Sequence, residues 1–132
     1  MGGGSLRAVY IEDEPDLIDL VKMILSRKGI EVIGAVAGRE GLETVQREQP
    51  DVVLLDLMIP DMDGWEVYRR LRTDHANRKT PVVVVSALNQ EIDRLVGVRL
   101  AGVDEYLTKP FNSRELLECV ERAIAKKQEL SN

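Results

Sequence analysis

Cysteine and histidine are almost absent from this chain of 132 residues, which contains one of each, Cys119 and His75. A single cysteine cannot form an internal disulfide bond, and the two side chains together cannot supply the ligands of a structural zinc site. No apolar run approaches the roughly 20 residues of a membrane-spanning helix, and the N-terminus lacks the basic-then-apolar pattern of a secretory signal. These absences predict a soluble protein of a reducing compartment, the cytoplasm, with no membrane partner.

An excess of basic residues is also lacking. The 18 Lys and Arg residues stand against 23 Asp and Glu residues, and the formal net charge of -5 argues against direct binding of nucleic acid. Hydrophobic residues make up 44% of the chain and charged residues 31%, which suits one independently folding domain. We assign residues 6–127 to this domain, residues 1–5 to a flexible start or a cloning remnant, and residues 128–132 to a C-terminal tail or the start of a linker.

Short apolar runs alternate with helical patterns along the whole domain. The first run ends at the acidic residues 12–14, and Pro15 follows at a position that the first turn of a helix tolerates. The later runs continue this alternation. The predicted strands are residues 6–11, 30–36, 51–57, 81–86 and about 105–107, and the predicted helices are residues 15–28, 41–49, 64–73, about 89–100 and about 113–127.

Two of the predicted strands contain runs, VVLL at 52–55 and VVVV at 82–85, that are apolar without alternation. Strands of this kind are buried on both faces, as in a parallel sheet between two layers of helices. Five strand–helix units with right-handed crossovers predict an α/β protein with a doubly wound, five-stranded parallel sheet. Ligands of such sheets bind outside the carboxyl ends of the strands, so functional residues are expected there.

Polar side chains follow the predicted strands at this edge of the sheet. Glu12 and Asp13 follow the first strand, Asp56 lies near the end of the third, Ser86 ends the fourth, and Lys109 comes after the fifth. Three carboxylates gathered at one point repel one another, and either protonation or a divalent cation relieves the repulsion. An oxygen-rich site with few ligands suits Mg²⁺, which takes one or two carboxylates together with phosphate oxygens.

Four motifs of the sequence, in this order, resemble the receiver domain of two-component response regulators. They are IEDE at 11–14, LDLMIPDMDG at 55–64, VSA at 85–87 and AGVDEYLTKPF at 101–111. The resemblance implies a flavodoxin-like (βα)5 fold with the strand order 2-1-3-4-5. It also implies a phosphorylation-activated signalling switch of a phosphorelay, not an enzyme, which at most catalyses its own phosphorylation and dephosphorylation.

The resemblance implies that Asp56 is the phosphoacceptor, which receives its phosphoryl group from a sensor histidine kinase or a phosphotransfer protein. The implied cofactor is Mg²⁺, or Mn²⁺ in its place. Asp13 and Asp56 would bind the cation directly and Glu12 through water, and the backbone carbonyl of Met58 would supply a further ligand.

The resemblance implies two further roles, phosphoryl binding and switching. Ser86 and Lys109 match residues that bind the phosphoryl oxygens, and Lys109–Pro110 matches a cis peptide bond of the family. On phosphorylation, Ser86 would move toward the phosphoryl group and Tyr106 would rotate inward. The changing face would comprise the predicted helix 89–100, the fifth strand and the last helix. Its mixed charges are either solvated or paired across a phosphorylation-dependent homodimer, so a monomer and a dimer both stay open, and the downstream effector is unknown.

Three other functions compete with this interpretation. A haloacid-dehalogenase-like phosphohydrolase also uses an aspartyl nucleophile, but that class resembles Asp-x-Asp, and Met58 occupies the position of the second acid. A flavodoxin-like electron carrier binds a phosphate at its first loop, where Glu12, Asp13 and Glu14 would repel one. A receiver-shaped interaction module that works without phosphorylation stays open, because a complete site can go unused.

Overall fold

Five parallel strands form one sheet in the computed structural model of this chain, which describes residues 6–87 and 102–131. The predicted helix 89–100 lies outside the described residues. The strands are β1 (Leu6–Ile11), β2 (Ile30–Ala35), β3 (Val52–Leu55), β4 (Val82–Ser86) and β5 (Glu105–Thr108), and the described helices are α1 (Pro15–Ser26), α2 (Gly38–Glu48), α3 (Gly64–Thr73) and α4 (Ser113–Ser131).

The order of the strands in the sheet is β2-β1-β3-β4-β5. β1 pairs with β2 on one side and with β3 on the other, so that Ile11 lies beside both Ala35 and Leu55. β4 pairs in turn with β3 and β5. Parallel neighbours need long crossover connections, and α1, α2 and α3 supply those between β1 and β4. The predicted doubly wound α/β fold and its strand order 2-1-3-4-5 are confirmed.

Apolar side chains on the two faces of the sheet form two separate cores. Because successive strand residues point to opposite faces, Tyr10 and Leu54 pack on one side and Val9 and Val53 on the other. Helices α1 and α4 cover the first core, and α2 and α3 cover the second. Burial on both faces explains why β3 and β4 are apolar without alternation.

The starts of two helices compare differently with the prediction. α3 begins at Gly64 as predicted, after Asp63, whose side chain accepts a hydrogen bond from the first turn. α2 begins at Gly38, three residues before the predicted start at Gly41. Ala37, which precedes it, has no side-chain acceptor for the N–H groups of the first turn, so the local sequence lacks the usual start signal.

Two other boundaries also differ from the prediction. β3 ends at Leu55, not at residue 57, so that Asp56 is the first residue beyond the strand. α4 extends to Ser131, past the predicted end near residue 127. Within the part of the chain that the structure describes, no helix is both long enough and apolar enough to cross a membrane.

Candidate functional site

Hydrogen bonds that continue the pairing of the strands hold the predicted site residues at the carboxyl edge of the sheet. The N–H of Glu12 donates to the last carbonyl of β2 (2.9 Å), and the N–H of Asp56 donates to the last carbonyl of β1 (3.0 Å). The N–H of Lys109 donates to the carbonyl of Ser86 at the end of β4 (2.8 Å). The backbone of the sheet therefore fixes where these side chains begin.

Three carboxylates at this edge lie close enough together to share one cation. One oxygen from each of Glu12, Asp13 and Asp56 lies within 4.8 Å of the other two. Glu12 and Asp56 are buried, whereas Asp13 is exposed. Carboxylate oxygens are the ligands that Mg²⁺ and Mn²⁺ prefer in proteins. The acidic cluster therefore fits a divalent cation such as Mg²⁺.

Lys109 connects two of these carboxylates. Its Nζ donates to Oε1 of Glu12 at 2.7 Å and to Oδ2 of Asp56 at 2.9 Å, and its side chain is only 18% exposed. Burial lowers the pKa of Lys109, but the hydrogen bonds to Glu12 and Asp56 outweigh it, so the pKa lies above its usual value and the ammonium stays charged. The peptide bond between Lys109 and Pro110 is cis.

Glu12 is the most deeply buried acid of the site. Its Oε1 accepts hydrogen bonds from the Tyr10 hydroxyl (3.0 Å) and from Lys109, and its Oε2 accepts one from the N–H of Glu14 (3.2 Å). Burial, together with the charge of Asp56, raises the pKa of Glu12 to about 7, against the opposing effects of Lys109 and Tyr10. Without a cation, a large part of the Glu12 population is therefore protonated at neutral pH.

Tyr10 is a site residue that the sequence analysis missed. It lies inside β1 with a fully buried side chain, and its hydroxyl donates to Glu12. Burial and the neighbouring Glu12 carboxylate raise the pKa of Tyr10 far above its usual value, so the phenol remains a neutral hydrogen-bond donor. A signal for this contact existed, because residues two positions apart on an extended strand point to the same face.

The loop after Asp56 is closed on itself and holds the carboxylate in place. The N–H of Met58 donates to Oδ1 of Asp56 (2.9 Å), and Met58 forms an isolated antiparallel bridge with Asp63. The N–H of Gly64 donates to the carbonyl of Leu57 (3.1 Å), and a Cβ at Gly64 would lie 2.4 Å from the Leu57 Cα. Close approach of two backbones, rather than freedom to turn, therefore requires glycine at position 64.

The two predicted switch residues lie on neighbouring strands. Ser86 is fully buried at the end of β4, where it pairs in register with Thr108. Tyr106 is 6% exposed and packs in the core between the sheet and helices α2 and α3. The structure thus places Tyr106 inward. Its rotation and the movement of Ser86 stay predictions, and residues 88–101 of the same face lie outside the described part of the chain.

Charged residues flanking β5 pair within the chain. Both oxygens of the Glu105 carboxylate are engaged, one by Arg122 at 3.0 Å and the other by Lys126 at 3.1 Å. Lys126 also donates to the carbonyl of Asp104 (2.7 Å). These contacts connect β5 to α4. Pairing across a homodimer through the same face stays a prediction.

Comparisons with known proteins agree with this geometry. The sequence model of the response regulator receiver domain matches residues 8–121. The receiver domain of the Francisella response regulator 1452 is 29% identical, with a TM-score of 0.84, over 92% of this chain and 98% of that one. A sensor protein from Polaromonas sp. JS666 is 30% identical, with a TM-score of 0.85 and the same two coverages. The chemotaxis response regulator CheY4 of Vibrio cholerae is 27% identical, with a TM-score of 0.83, over 90% and 98%.

The chain belongs to the response regulator receiver domain family, because the family's sequence model spans most of its length. Receiver domains are phosphoacceptor switches that interact with a histidine kinase or a phosphotransfer protein. The matches give no support to the phosphohydrolase or to the electron carrier.

Proposed function

We propose that Asp56 accepts a phosphoryl group from a phosphohistidine of a sensor kinase or phosphotransfer protein, and that the acyl phosphate changes the packing of the face around β5. One observation carries the proposal. The Asp56 carboxylate is held by the Lys109 ammonium on one oxygen and the Met58 N–H on the other, beside two more carboxylates. A cluster of acids that outnumbers the cations paired with it is characteristic of functional sites.

The site offers oxygen ligands for Mg²⁺ or Mn²⁺. Asp13 and Asp56 would bind the cation directly, Glu12 would bind it through water, and Met58 would supply its backbone carbonyl, with water completing the coordination. When bound, the divalent cation neutralises negative charge on the phosphoryl oxygens during transfer. The carboxylates would also lose their mutual repulsion, because each would face a positive charge.

The transfer itself makes one bond and breaks one. An oxygen of the Asp56 carboxylate bonds to phosphorus, and the bond between phosphorus and the donor's imidazole nitrogen breaks, with its electron pair returning to the ring. The Lys109 Nζ and the Ser86 hydroxyl then bind phosphoryl oxygens. Phosphoryl transfer depends on positioning and charge neutralisation more than on acid–base help, which suits a site built from carboxylates and one ammonium group.

The added group supplies roughly two negative charges and three acceptor oxygens at Asp56. Ser86 moves toward these oxygens, and this movement favours the inward packing of Tyr106 over outward rotamers. Phosphorylation shifts a population between two packings, to the extent that the acyl phosphate interacts better with one of them. The face around β5 then presents a different surface to its downstream partner.

The proposal is tested by the intact mass of the full chain after incubation with acetyl phosphate or phosphoramidate and Mg²⁺. The expected result is the mass of one added phosphoryl group, absent from Asp56→Asn and absent after chelation of the metal. Asp51→Asn is the matched control, because Asp51 lies immediately before β3 as Asp56 lies immediately after it. An unchanged wild-type mass with both donors, or an addition that persists in Asp56→Asn, would overturn the assignment.

A further inference from the structure

The loop that follows the phosphoacceptor also caps a helix elsewhere in the chain. The Asp61 carboxylate accepts hydrogen bonds from the N–H of Gly38 (2.6 Å) and the N–H of Arg39 (3.0 Å), the first two residues of α2. Ala37 supplies no cap of its own. A carboxylate at the N-terminus of a helix gains from the helix dipole as well as from charge-assisted hydrogen bonds.

Apolar contacts between the loop and α2 strengthen the same connection. A Cβ at Gly38 would lie 2.6 Å from the Cγ of Met62 and 3.1 Å from the Cδ1 of Ile59, so only glycine lets these loop side chains reach the helix. Ile59 is buried in the core under α2 and α3. The loop is therefore held against α2 by two charge-assisted bonds and by close packing around one glycine.

This connection fixes the part of the loop that meets the phosphoacceptor. The bridge between Met58 and Asp63 closes the loop, so Asp61 lies within the closed segment, three residues from Met58. The backbone of Met58 contributes twice to the proposed function. Its N–H donates to Asp56, and its carbonyl would bind the cation. A displacement of the loop at Asp61 would therefore alter the Met58 peptide.

We propose that Asp61 is a positioning residue, whose carboxylate holds the loop of residues 57–63 against α2 and thereby sets the affinity of the site for Mg²⁺. The inference rests on the proposed function of Asp56. The backbone N–H groups of Arg39 and Gly38 lower the pKa of Asp61, which keeps this carboxylate charged at neutral pH.

The test measures Mg²⁺ binding and phosphorylation in Asp61→Ala and Asp61→Asn. Mg²⁺ binding is followed by the fluorescence of Trp65, the one tryptophan of the chain. We expect the Mg²⁺ dissociation constant to rise roughly tenfold in Asp61→Ala, at the lower end of the effect of residues that orient metal ligands, and less in Asp61→Asn, which keeps one acceptor oxygen. Phosphorylation by acetyl phosphate should be slow at low Mg²⁺ and approach the wild-type rate at saturating Mg²⁺.

Two further variants separate positioning from stability. Asp51→Ala removes a carboxylate that accepts from the N–H of Arg7 (2.8 Å) at the other end of β3, and it should lower the melting temperature without changing the dissociation constant. Gly38→Ala disturbs the same contact from the helix side and should weaken Mg²⁺ binding as Asp61→Ala does. A wild-type dissociation constant in folded Asp61→Ala would overturn the inference, whereas a wild-type chain that is never phosphorylated would overturn the proposed function instead.

Discussion

The two ends of the sheet use the same kinds of residues for different purposes. At the amino ends of the strands, Asp104 accepts hydrogen bonds from the N–H of Val82 (2.8 Å) and from Arg72 (3.2 Å), and Asp51 accepts one from the backbone of Arg7. At the carboxyl ends, three carboxylates lie close together, and two of them, Glu12 and Asp56, share the ammonium group of Lys109. Among the described residues, the acids at the amino end are separated from one another, whereas those at the carboxyl end are clustered and two of them share one cation.

This difference shows how a sheet of uniform architecture separates stability from function. Where each carboxylate meets a backbone N–H or an arginine, its charge is balanced in the folded state, and the contact stabilises the protein. Where buried carboxylates outnumber their cations, the folded state holds uncompensated charge that a metal ion relieves. The predictions below change one charged group at either end of the sheet and follow the effect on the free energy of unfolding.

The largest effect on stability is expected from Lys109→Met, which removes the ammonium group that pairs with both Glu12 and Asp56. Without metal, at about pH 8, the free energy of unfolding should fall by about 3 kcal/mol, because two buried carboxylates lose their partner. Mg²⁺ should still bind and restore most of the loss, while switching is impaired. The measurement is urea unfolding with and without chelator.

Lys126→Met is the matched control for this variant, because Lys126 also pairs with an acid but is half exposed. Its unfolding free energy should change by less than about 1 kcal/mol, as for other surface ion pairs. If the two lysine variants lost the same free energy of unfolding, the buried carboxylates at the carboxyl end would not depend on Lys109 more than a surface acid depends on its partner.

A smaller loss of stability is expected at the amino end from Asp104→Ala. The N–H of Val82 and the guanidinium of Arg72 lose their acceptor, which should lower the free energy of unfolding by about 2 kcal/mol. Phosphorylation of Asp56 should remain at the wild-type level, as measured by intact mass. If Asp104→Ala instead left stability unchanged and abolished phosphorylation, the division of roles between the two ends would be wrong.

The most gradual effect is the pH dependence that Glu12 contributes, because it is spread over more than two pH units. Because its pKa is about 7 in the folded chain, above the usual 4.5, the folded state binds the proton more tightly than the unfolded state. This contribution is fully present below about pH 4.5 and is lost as the pH rises through about 7 in the absence of metal, at no more than about 1.4 kcal/mol per pH unit. Glu12→Gln should remove this slope in urea unfolding followed across that range, and parallel slopes in the two proteins would contradict the assignment.

The sequence was sufficient for the sheet and for the placement of most site residues. The apolar runs that became Val52–Leu55 and Val82–Ser86 predicted strands buried on both faces, and acids directly after such strands predicted a site at the carboxyl edge. What sequence reasoning expected of Lys109 was contact with a phosphoryl group. Its pairing with Glu12 depends on the distance between two loops almost a hundred residues apart in the chain, which no local pattern reports.

The start of α2 is a second feature that depends on a residue distant in the sequence. The prediction at Gly41 was wrong because the cap of the helix, Asp61, lies 23 residues after the first N–H that it accepts from. Helix start signals are recognised within a few residues of the helix, so a cap supplied by a distant loop leaves no local trace. α3 was predicted correctly because Asp63 is its immediate neighbour.

The hydrogen bonds from Gly38 and Arg39 to Asp61 allow the order of the loop after Asp56 to be measured elsewhere in the chain. The first N–H groups of a helix have no carbonyl partner within that helix, so the amides of Gly38 and Arg39 depend on Asp61 for protection from hydrogen exchange with water. Slow exchange of these two amides therefore reports an ordered loop, and fast exchange reports its release. In an NMR spectrum of the chain, the exchange rates of two amide resonances of α2 would therefore report the order of a loop about twenty residues further along the chain.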